Sequence, residues 1–335
     1  MFAPRLRSTA RPLVRAARGF ADRIDAVAIG RRAARMPAGK GGWKAVAVRR
    51  ARNGTRIVTL RTTAGRTLVM KLSDRSDGIR RLSRERDVLT ELHRQIPDAS
   101  LRDLVPEPVA GGMHGGWAYL VQTALPGVGA TPFIADEGSR SAILDDASRV
   151  ARRFHEATAR RYGVSDDELV AWIDRPLDAV ADLARVPRTR FELLRDELRS
   201  ALGKRDQVRG IVHGDLWPEN LLVDPNDHRV LGVVDWDSAE FQGLALHDQI
   251  HLLLYTRKLV RRTAIGTEIC RALSEAAATV ELPLVPAVEA GDVGSRVALL
   301  LYWLRLVSYN LARQPAETRR LRWVRANVSA VLACL

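Results

Sequence analysis

Three polar residues between positions 211 and 237 have the types and spacing that phosphate chemistry needs. Asp215 begins a loop directly after a short apolar run, Asn220 follows five residues later, and Asp235 ends a second apolar run, Val230–Val234. A carboxylate at such a position can orient a hydroxyl group and accept its proton, while amide and carboxylate oxygens are hard ligands that suit Mg²⁺. The set predicts phosphoryl transfer, with Asp215 as the base and with Asn220 and Asp235 as magnesium ligands.

The same residue types also serve purely structural purposes. An Asp or Asn after a strand often shapes a turn, because both side chains bond to nearby backbone and tolerate left-handed conformations. We interpret His213 as a buried hydrogen-bonding brace of the loop rather than as an acid or base. Asp237 could contact substrate or a metal-bound water, and it could equally belong to a turn.

A second pair of charged residues lies upstream. Lys71 belongs to the apolar run Thr67–Leu72, where a charge requires a partner. Glu85 comes 14 residues later in an amphipathic segment and can face that run. A Lys–Glu pair of this kind holds a lysine against the α- and β-phosphates of ATP. Neighbouring charges such as Arg84 and Asp87 fit a solvated helix surface instead.

The segments around Lys71 predict a small antiparallel sheet with one helix. Three strand-like runs are joined by turn signals at Asn53-Gly54 and Ala64-Gly65. The helix covers Asp77–Gln95, where apolar residues recur at helical spacing. The strands are Trp43–Arg50, Thr55–Thr62 and Thr67–Leu72.

The remaining chain predicts a larger, mainly helical part. Val105–Val109, with two prolines, breaks the helix, and Trp117–Thr123 is a further strand. Helical patterns begin near Ser139, are interrupted by a strand-rich island at 208–237, and continue to the end of the chain. The expected fold class is α+β, with a two-lobed arrangement around a cleft.

Charge is concentrated at one end of the chain. The net charge of +14 arises mostly from residues 1–52, which hold 14 basic and two acidic residues, so the rest carries about +2. This distribution argues against nucleic acid as a partner for the body of the protein. Residues 1–40 could be a solvated extension, a basic arm that contacts an anionic surface, or a segment similar to an organellar transit peptide.

Cysteine usage and hydropathy indicate the compartment. Cys270 and Cys334 are too few for a disulfide framework, which fits a reducing compartment. The longest apolar runs, such as Val297–Trp303, fall well short of the roughly 20 residues of a membrane-spanning helix. No transmembrane segment is therefore expected, and we expect a cytoplasmic protein.

The motif around Asp215 resembles the aminoglycoside phosphotransferase and choline kinase family. The resemblance rests on His213-Gly214-Asp215, on Asn220, and on Asp235 followed by Trp236, and it extends from about residue 43 to 254. It implies a protein-kinase-like fold, a small-molecule kinase activity, and ATP and Mg²⁺ as cofactors. Within that fold, 41–124 would form the N-lobe and 125–335 the helical C-lobe.

The resemblance also implies roles for residues outside the main motif. The backbone of Gln122, Thr123 and Ala124 would meet the adenine edge of the nucleotide. Asp248 would brace the catalytic loop through backbone hydrogen bonds, with a helix cap as the plain alternative. A G-x-G-x-x-G loop between the first two strands is missing, as are Asp-Phe-Gly and Ala-Pro-Glu stretches, which favours small-molecule kinases over protein kinases.

The function that these observations predict is ATP-dependent transfer of the γ-phosphate to a hydroxyl of a sugar, amino sugar, aminoglycoside or amino alcohol. The alternative is a catalytically inactive kinase-like protein that binds nucleotide or acts as a scaffold. The presence of Lys71, Asp215, Asn220 and Asp235 together argues against it. Five acids could attract an amino sugar, although helical acids more often face solvent: Asp166, Asp167, Glu168, Asp174 and Asp178.

Overall fold

The computed structural model describes residues 43–51, 54–203, 206–278 and 294–335. Contacts divide these residues into two compact units. The first contains 43–94 and 105–125, and the second contains 95–104 and 126–335. The basic segment 1–40 and Asn53 of the expected hairpin turn lie outside the described residues.

A five-stranded antiparallel sheet forms the first unit, with strand order β1-β2-β3-β5-β4. The predicted meander and the later strand are confirmed. The helix does end before Val105–Val109, but the strand that begins at Pro108 and pairs with β5 was not predicted. The strands are β1 (Trp43–Arg50), β2 (Arg56–Thr62), β3 (Thr67–Ser73), β4 (Pro108–His114) and β5 (Trp117–Thr123).

One long helix, α1 (Ser76–Gln95), completes the first unit. Its buried positions recur at the spacing that sequence periodicity predicts, with Leu82, Val88, Leu89 and Leu92 almost inaccessible. Glu85 is buried on the same helix. A carboxylate at such a position needs a partner, which β3 supplies.

Helices dominate the second unit, as the sequence predicts. The longer ones are α3 (Glu137–Glu156), α5 (Arg175–Ala184), α6 (Glu192–Gly203), α7 (Leu246–Arg261), α8 (Ile265–Ala278) and α9 (Ser295–Arg313). Short helices are α2 (Ala99–Arg102), α4 (Asp166–Leu169), α10 (Pro315–Thr318), α11 (Leu321–Val324) and α12 (Ala330–Leu332). Their apolar sides form one core that includes Leu177, Leu254, Leu300 and Trp303.

Two small sheets carry the strand-rich island of the second unit. One has the order β10-β9-β6 and the other β11-β8-β7. Three of these strands were not predicted: β6 and β7 lie before the expected island, in or next to segments read as a turn or as helical, and β11 lies after residue 237, where helices were expected to resume. The strands are β6 (Val128–Gly129), β7 (Arg160–Tyr162), β8 (Gln207–Val212), β9 (Leu221–Val223), β10 (Val230–Val233) and β11 (Glu240–Leu244).

The two cysteines form a disulfide. Cys270 on α8 is joined to Cys334 beyond α12, across 64 positions of sequence. The bond ties the C-terminal segment to the helical core. The argument from cysteine usage to a reducing compartment therefore loses its basis.

Within the described residues, none of the helices combines the length and the apolar character that crossing a membrane requires.

Candidate active site

A sharp turn positions Asp215 at the end of β8. Gly214 has a φ of +79°, and a Cβ atom at this position would lie 2.3 Å from the carbonyl oxygen of Ser238. The left-handed backbone and the close approach both require glycine. The backbone geometry of this turn therefore explains the glycine between His213 and Asp215.

Asp248 on α7 holds this turn from the buried side. Its two carboxylate oxygens accept hydrogen bonds from the backbone N–H of His213 at 2.6 Å and of Gly214 at 2.8 Å. Asp248 is 4% exposed. The structure confirms the bracing interpretation, whereas the helix cap is not observed because Asp248 lies inside the first turn of α7.

His213 also braces the loop, as the sequence predicts. Its Nε2 lies 2.9 Å from the carbonyl oxygen of Val234, and its Nδ1 accepts a hydrogen bond from the backbone N–H of Asp215 at 3.2 Å. The ring packs against Trp236, with 4.6 Å between centroids. Both ring nitrogens are engaged with backbone, so His213 connects the Asp215 loop to the segment that carries Asp235.

Asn220 joins the same two segments. Its side-chain Nδ2 donates to the carbonyl oxygen of Asp215 at 2.8 Å, and its backbone carbonyl accepts from the N–H of Val234 at 2.9 Å. The bond from Nδ2 fixes the orientation of the side-chain amide, and Oδ1 is the amide atom that could bind a metal ion. Asp235 follows Val234 directly and has a left-handed backbone with φ of 64°.

The donor set suits the metal that the sequence predicts. Asn220 and Asp235 supply an amide oxygen and a carboxylate, and Mg²⁺ commonly takes one or two protein oxygens while phosphates and water complete its octahedron. In the described part of the chain, three or more His, Cys, Asp or Glu side chains nowhere converge as a metal cage. A small hard-oxygen set is thus what this region offers to Mg²⁺.

The side chain of Asp215 has a further neighbour that sequence reasoning missed. Nε2 of His251 lies 3.2 Å from Asp215 Oδ1, and Nδ1 of His251 lies 3.2 Å from the hydroxyl of Tyr302. His251 is 5% exposed. His247 and His251 are four positions apart and so share one face of α7, but this spacing alone does not connect either residue to Asp215.

Lys71 and Glu85 meet within the first unit. Lys71 Nζ donates to Glu85 Oε1 at 2.6 Å, and the residues are 6% and 3% exposed. Lys71 lies on β3, the central strand of its sheet, and Glu85 on α1. The pairing that the sequence predicts is observed, while contact with phosphate stays a prediction.

The three residues expected to meet adenine lie at the end of β5. The N–H of Thr123 donates to the carbonyl of Glu107 at 3.0 Å, and that of Ala124 to the carbonyl of Thr67 at 3.3 Å. Gln122 is buried, and among the described residues its Oε1 has no hydrogen-bond partner. The N–H groups of Thr123 and Ala124 are therefore engaged within the protein, and the adenine contact stays a prediction.

Known proteins similar to this chain are phosphotransferases. A family model described as the phosphotransferase enzyme family matches residues 47–278. An aminoglycoside 3'-phosphotransferase from Streptomyces fradiae is 35% identical over 163 residues, which cover 46% of this chain and 57% of that protein. Another from Streptomyces ribosidificus is 32% identical over 139 residues, covering 39% and 51%. The chain thus spans little more than half the length of these curated relatives.

Solved structures share the fold. A macrolide 2'-phosphotransferase from Brachybacterium faecium superposes with a TM-score of 0.50 at 17% identity, covering 92% of this chain and 97% of that one. A protein described as a fructosamine-3-kinase, from Thermobifida fusca, gives 0.50 at 20% identity, covering 88% and 95%. The family model extends over more than half of the residues, so the chain belongs to the phosphotransferase enzyme family.

Proposed function

We propose that this protein transfers the γ-phosphoryl group of ATP to a hydroxyl of a small molecule. The observation that carries the proposal is the joining of Asp215, Asn220 and the segment before Asp235 by direct hydrogen bonds within one unit. Phosphoryl transfer needs mainly an oriented acceptor and neutralised charge. A carboxylate beside an amide and a second carboxylate can supply both.

Asp215 is the proposed base. Its carboxylate orients the acceptor hydroxyl and accepts the proton as the oxygen attacks phosphorus, while ADP leaves with the electron pair of the broken bond. Nε2 of His251 lies 3.2 Å from Oδ1 without hydrogen-bond geometry, so His251 is a close polar neighbour of the base. Asp248 fixes the backbone from which Asp215 projects.

The other predicted residues would hold the donor. Asn220 Oδ1 and the Asp235 carboxylate would bind Mg²⁺, which when bound neutralises charge on the phosphates. Lys71, held by Glu85, would contact the α- and β-phosphates. In the first unit the sheet fixes the lysine, and the burial of both partners makes their separation costly.

Transfer of labelled γ-phosphate from ATP to a panel of sugars, amino sugars, aminoglycosides and amino alcohols tests this function. Asp215→Asn removes the base, so we expect kcat to fall by about 10²–10⁴-fold with the fold retained. Asp227→Asn, the same change at an exposed turn between β9 and β10, is the matched control. Unchanged kcat in Asp215→Asn contradicts the assignment, and nucleotide binding without transfer to any acceptor favours the inactive scaffold.

A further inference from the structure

The predicted metal ligand Asp235 has an unusual backbone conformation that its surroundings must maintain. Its φ of 64° lies in the left-handed region. Aspartate tolerates this region better than most residues, but the conformation persists only where neighbouring contacts enforce it. On the N-terminal side, the backbone of Val234 is held by Asn220 and His213. The residues that follow Asp235 must be held as well if its carboxylate is to keep its direction.

Two residues of α9 bind the segment that follows Asp235. Arg313 donates a hydrogen bond to the Asp237 carboxylate at 2.8 Å, and the Tyr309 hydroxyl lies 2.7 Å from Oγ of Ser238. The guanidinium of Arg313 also lies 4.5 Å from the centre of the Tyr309 ring, so these two side chains support each other. Asp237 and Ser238 are 3% and 6% exposed, so both contacts are made inside the protein.

A third contact extends the same pattern. Arg305 Nη2 lies 3.0 Å from a carboxylate oxygen of Glu240. Residues 305, 309 and 313 are spaced four positions apart and share one face of α9, and their partners follow in reverse order along the chain. The helix therefore runs in the opposite direction to segment 237–240 and contacts it at three points. The pair at Glu240 is the most exposed of the three, so it should contribute least.

From these contacts we infer that α9 clamps the metal-binding segment, with Tyr309 and Arg313 as positioning residues for Asp235. The inference rests on the proposed function, because that function makes Asp235 a magnesium ligand. It also gives Asp237 a role: its carboxylate is buried and paired with Arg313, so it anchors the turn Trp236–Ser238 rather than contacting substrate. Loss of Arg313 leaves a buried carboxylate without this cation, and the segment is then free to shift.

Calorimetric titration with ADP at increasing Mg²⁺ concentrations tests the clamp without relying on turnover. In Arg313→Met, half-maximal enhancement of ADP binding should require about 10-fold more Mg²⁺ than in the wild type, because Mg²⁺ tolerates little distortion of its octahedron. Arg313→Lys keeps a cation near Asp237 and should restore most of the wild-type dependence. Arg322→Met, the same change at an exposed position of α11, is the control and should match the wild type.

Tyr309→Phe removes a single hydroxyl from the clamp. Loss of the hydrogen bond to Ser238 should raise the Mg²⁺ requirement by about 3-fold, less than the loss of the Arg313 cation. Tyr162→Phe, at an exposed position of β7, is the matched control and should leave the requirement unchanged. An equal response of the two tyrosine variants contradicts a role for Tyr309 in the clamp.

A double-mutant cycle tests whether Arg313 and Asp237 act as one anchor. Arg313→Met leaves a buried charge without this cation, so its melting temperature should fall by about 5 °C. Adding Asp237→Asn removes that charge, so the double variant should lose less stability than the sum of the two single variants. Losses that simply add contradict a coupled anchor.

The outcomes separate the clamp from the proposed function. A wild-type Mg²⁺ requirement in Arg313→Met overturns the clamp even if the melting temperature falls, since a purely structural contact changes stability alone. ADP binding that does not respond to Mg²⁺ in the wild type also overturns it. If the variants shift the Mg²⁺ requirement as expected while the wild type transfers phosphate to no acceptor, the clamp stands and the proposed transfer fails.

Discussion

The two units hold their candidate functional residues in different ways. In the first, Lys71 and Glu85 lie 14 positions apart on a strand and the helix that follows, and they meet in one pair at 2.6 Å. In the second, the loop that carries Asp215 is held by Asp248, which lies 34 positions beyond Gly214. A regular strand fixes its side chains through the sheet, whereas a loop depends on polar groups from distant parts of the chain.

The two arrangements predict different free-energy costs when a residue is substituted. Removing one partner of a buried ion pair leaves an uncompensated charge, at roughly 3–5 kcal/mol. Hydrogen bonds to a charged group contribute about 1.5–3 kcal/mol each, so Asp248 contributes through two of them. We expect changes in the second unit to act mainly on kcat and changes in the first to act mainly on the use of ATP.

The largest effect is expected for Asp235→Asn in the second unit. Loss of the carboxylate weakens a magnesium site whose charge stabilisation amounts to several kcal/mol, so kcat should fall by about 10³-fold. Steady-state kinetics over a range of Mg²⁺ concentrations measures the loss. Asp227→Asn, in the hairpin that leads to Asp235, should behave like the wild type. Equal Mg²⁺ dependence in both variants would contradict the metal assignment.

A smaller effect is expected for Asp248→Asn. The amide offers one acceptor where the carboxylate offers two, and its NH₂ group faces a backbone N–H. A shift of about 1 Å in a catalytic group can cost on the order of 100-fold. Kinetics should show a fall in kcat of that size with little change in the KM for ATP. A raised KM with unchanged kcat would mean that the loop does not depend on this brace.

The first unit should respond differently to Glu85→Gln. The glutamine retains the shape but not the charge that holds Lys71, so the KM for ATP should rise by about 10-fold, roughly 1.4 kcal/mol of ground-state binding. Kinetics and thermal unfolding separate binding from stability. Glu91→Gln, on the same helix, is the matched control. A fall in kcat alone would place Glu85 outside nucleotide binding.

The smallest effect on turnover is expected for Glu168→Gln. Hydrogen bonds from Arg209 lower the pKa of Glu168 to about 2, from 4.5. Its folded pKa is below the unfolded one, so its stabilisation is present above about pH 4.5 and is lost as pH falls toward 2. After discounting for solvent, the loss at neutral pH should be about 1–2 kcal/mol.

Thermal unfolding between pH 7 and 3 measures this contribution. The variant should be less stable at pH 7, and its stability should decline less steeply below pH 4.5. Asp167→Asn, at the neighbouring exposed position, is the control. Parallel stability curves for the variant and the wild type would contradict the assigned pKa.

Sequence periodicity predicted the elements whose side chains alternate clearly. β2, β3, β5 and α1 have regular apolar spacing, and the pairing of Lys71 with Glu85 followed from it. β4 was missed because Ala110, Gly111 and Gly112 have low strand propensity, and the strand forms through pairing with β5. The composition of the segment alone does not reveal a strand that depends on pairing with a neighbouring strand.

The candidate site was predictable in part for the same reason. Asp215, Asn220 and Asp235 are close in sequence and follow strands, so their spacing carries information. His251 and Tyr302 lie 36 and 87 positions from Asp215, and their contacts arise from helix packing. The arginine partners of Asp166 and Asp174 likewise come from another helix, α6.

A crystal structure with Mg²⁺ and a non-hydrolysable ATP analogue tests the central claim most directly. We predict a magnesium ion about 2.1 Å from both Asn220 Oδ1 and a carboxylate oxygen of Asp235, with the Asp215 carboxylate directed at the γ-phosphate. A metal ion bound to the phosphates with neither of these side chains among its ligands would contradict the account.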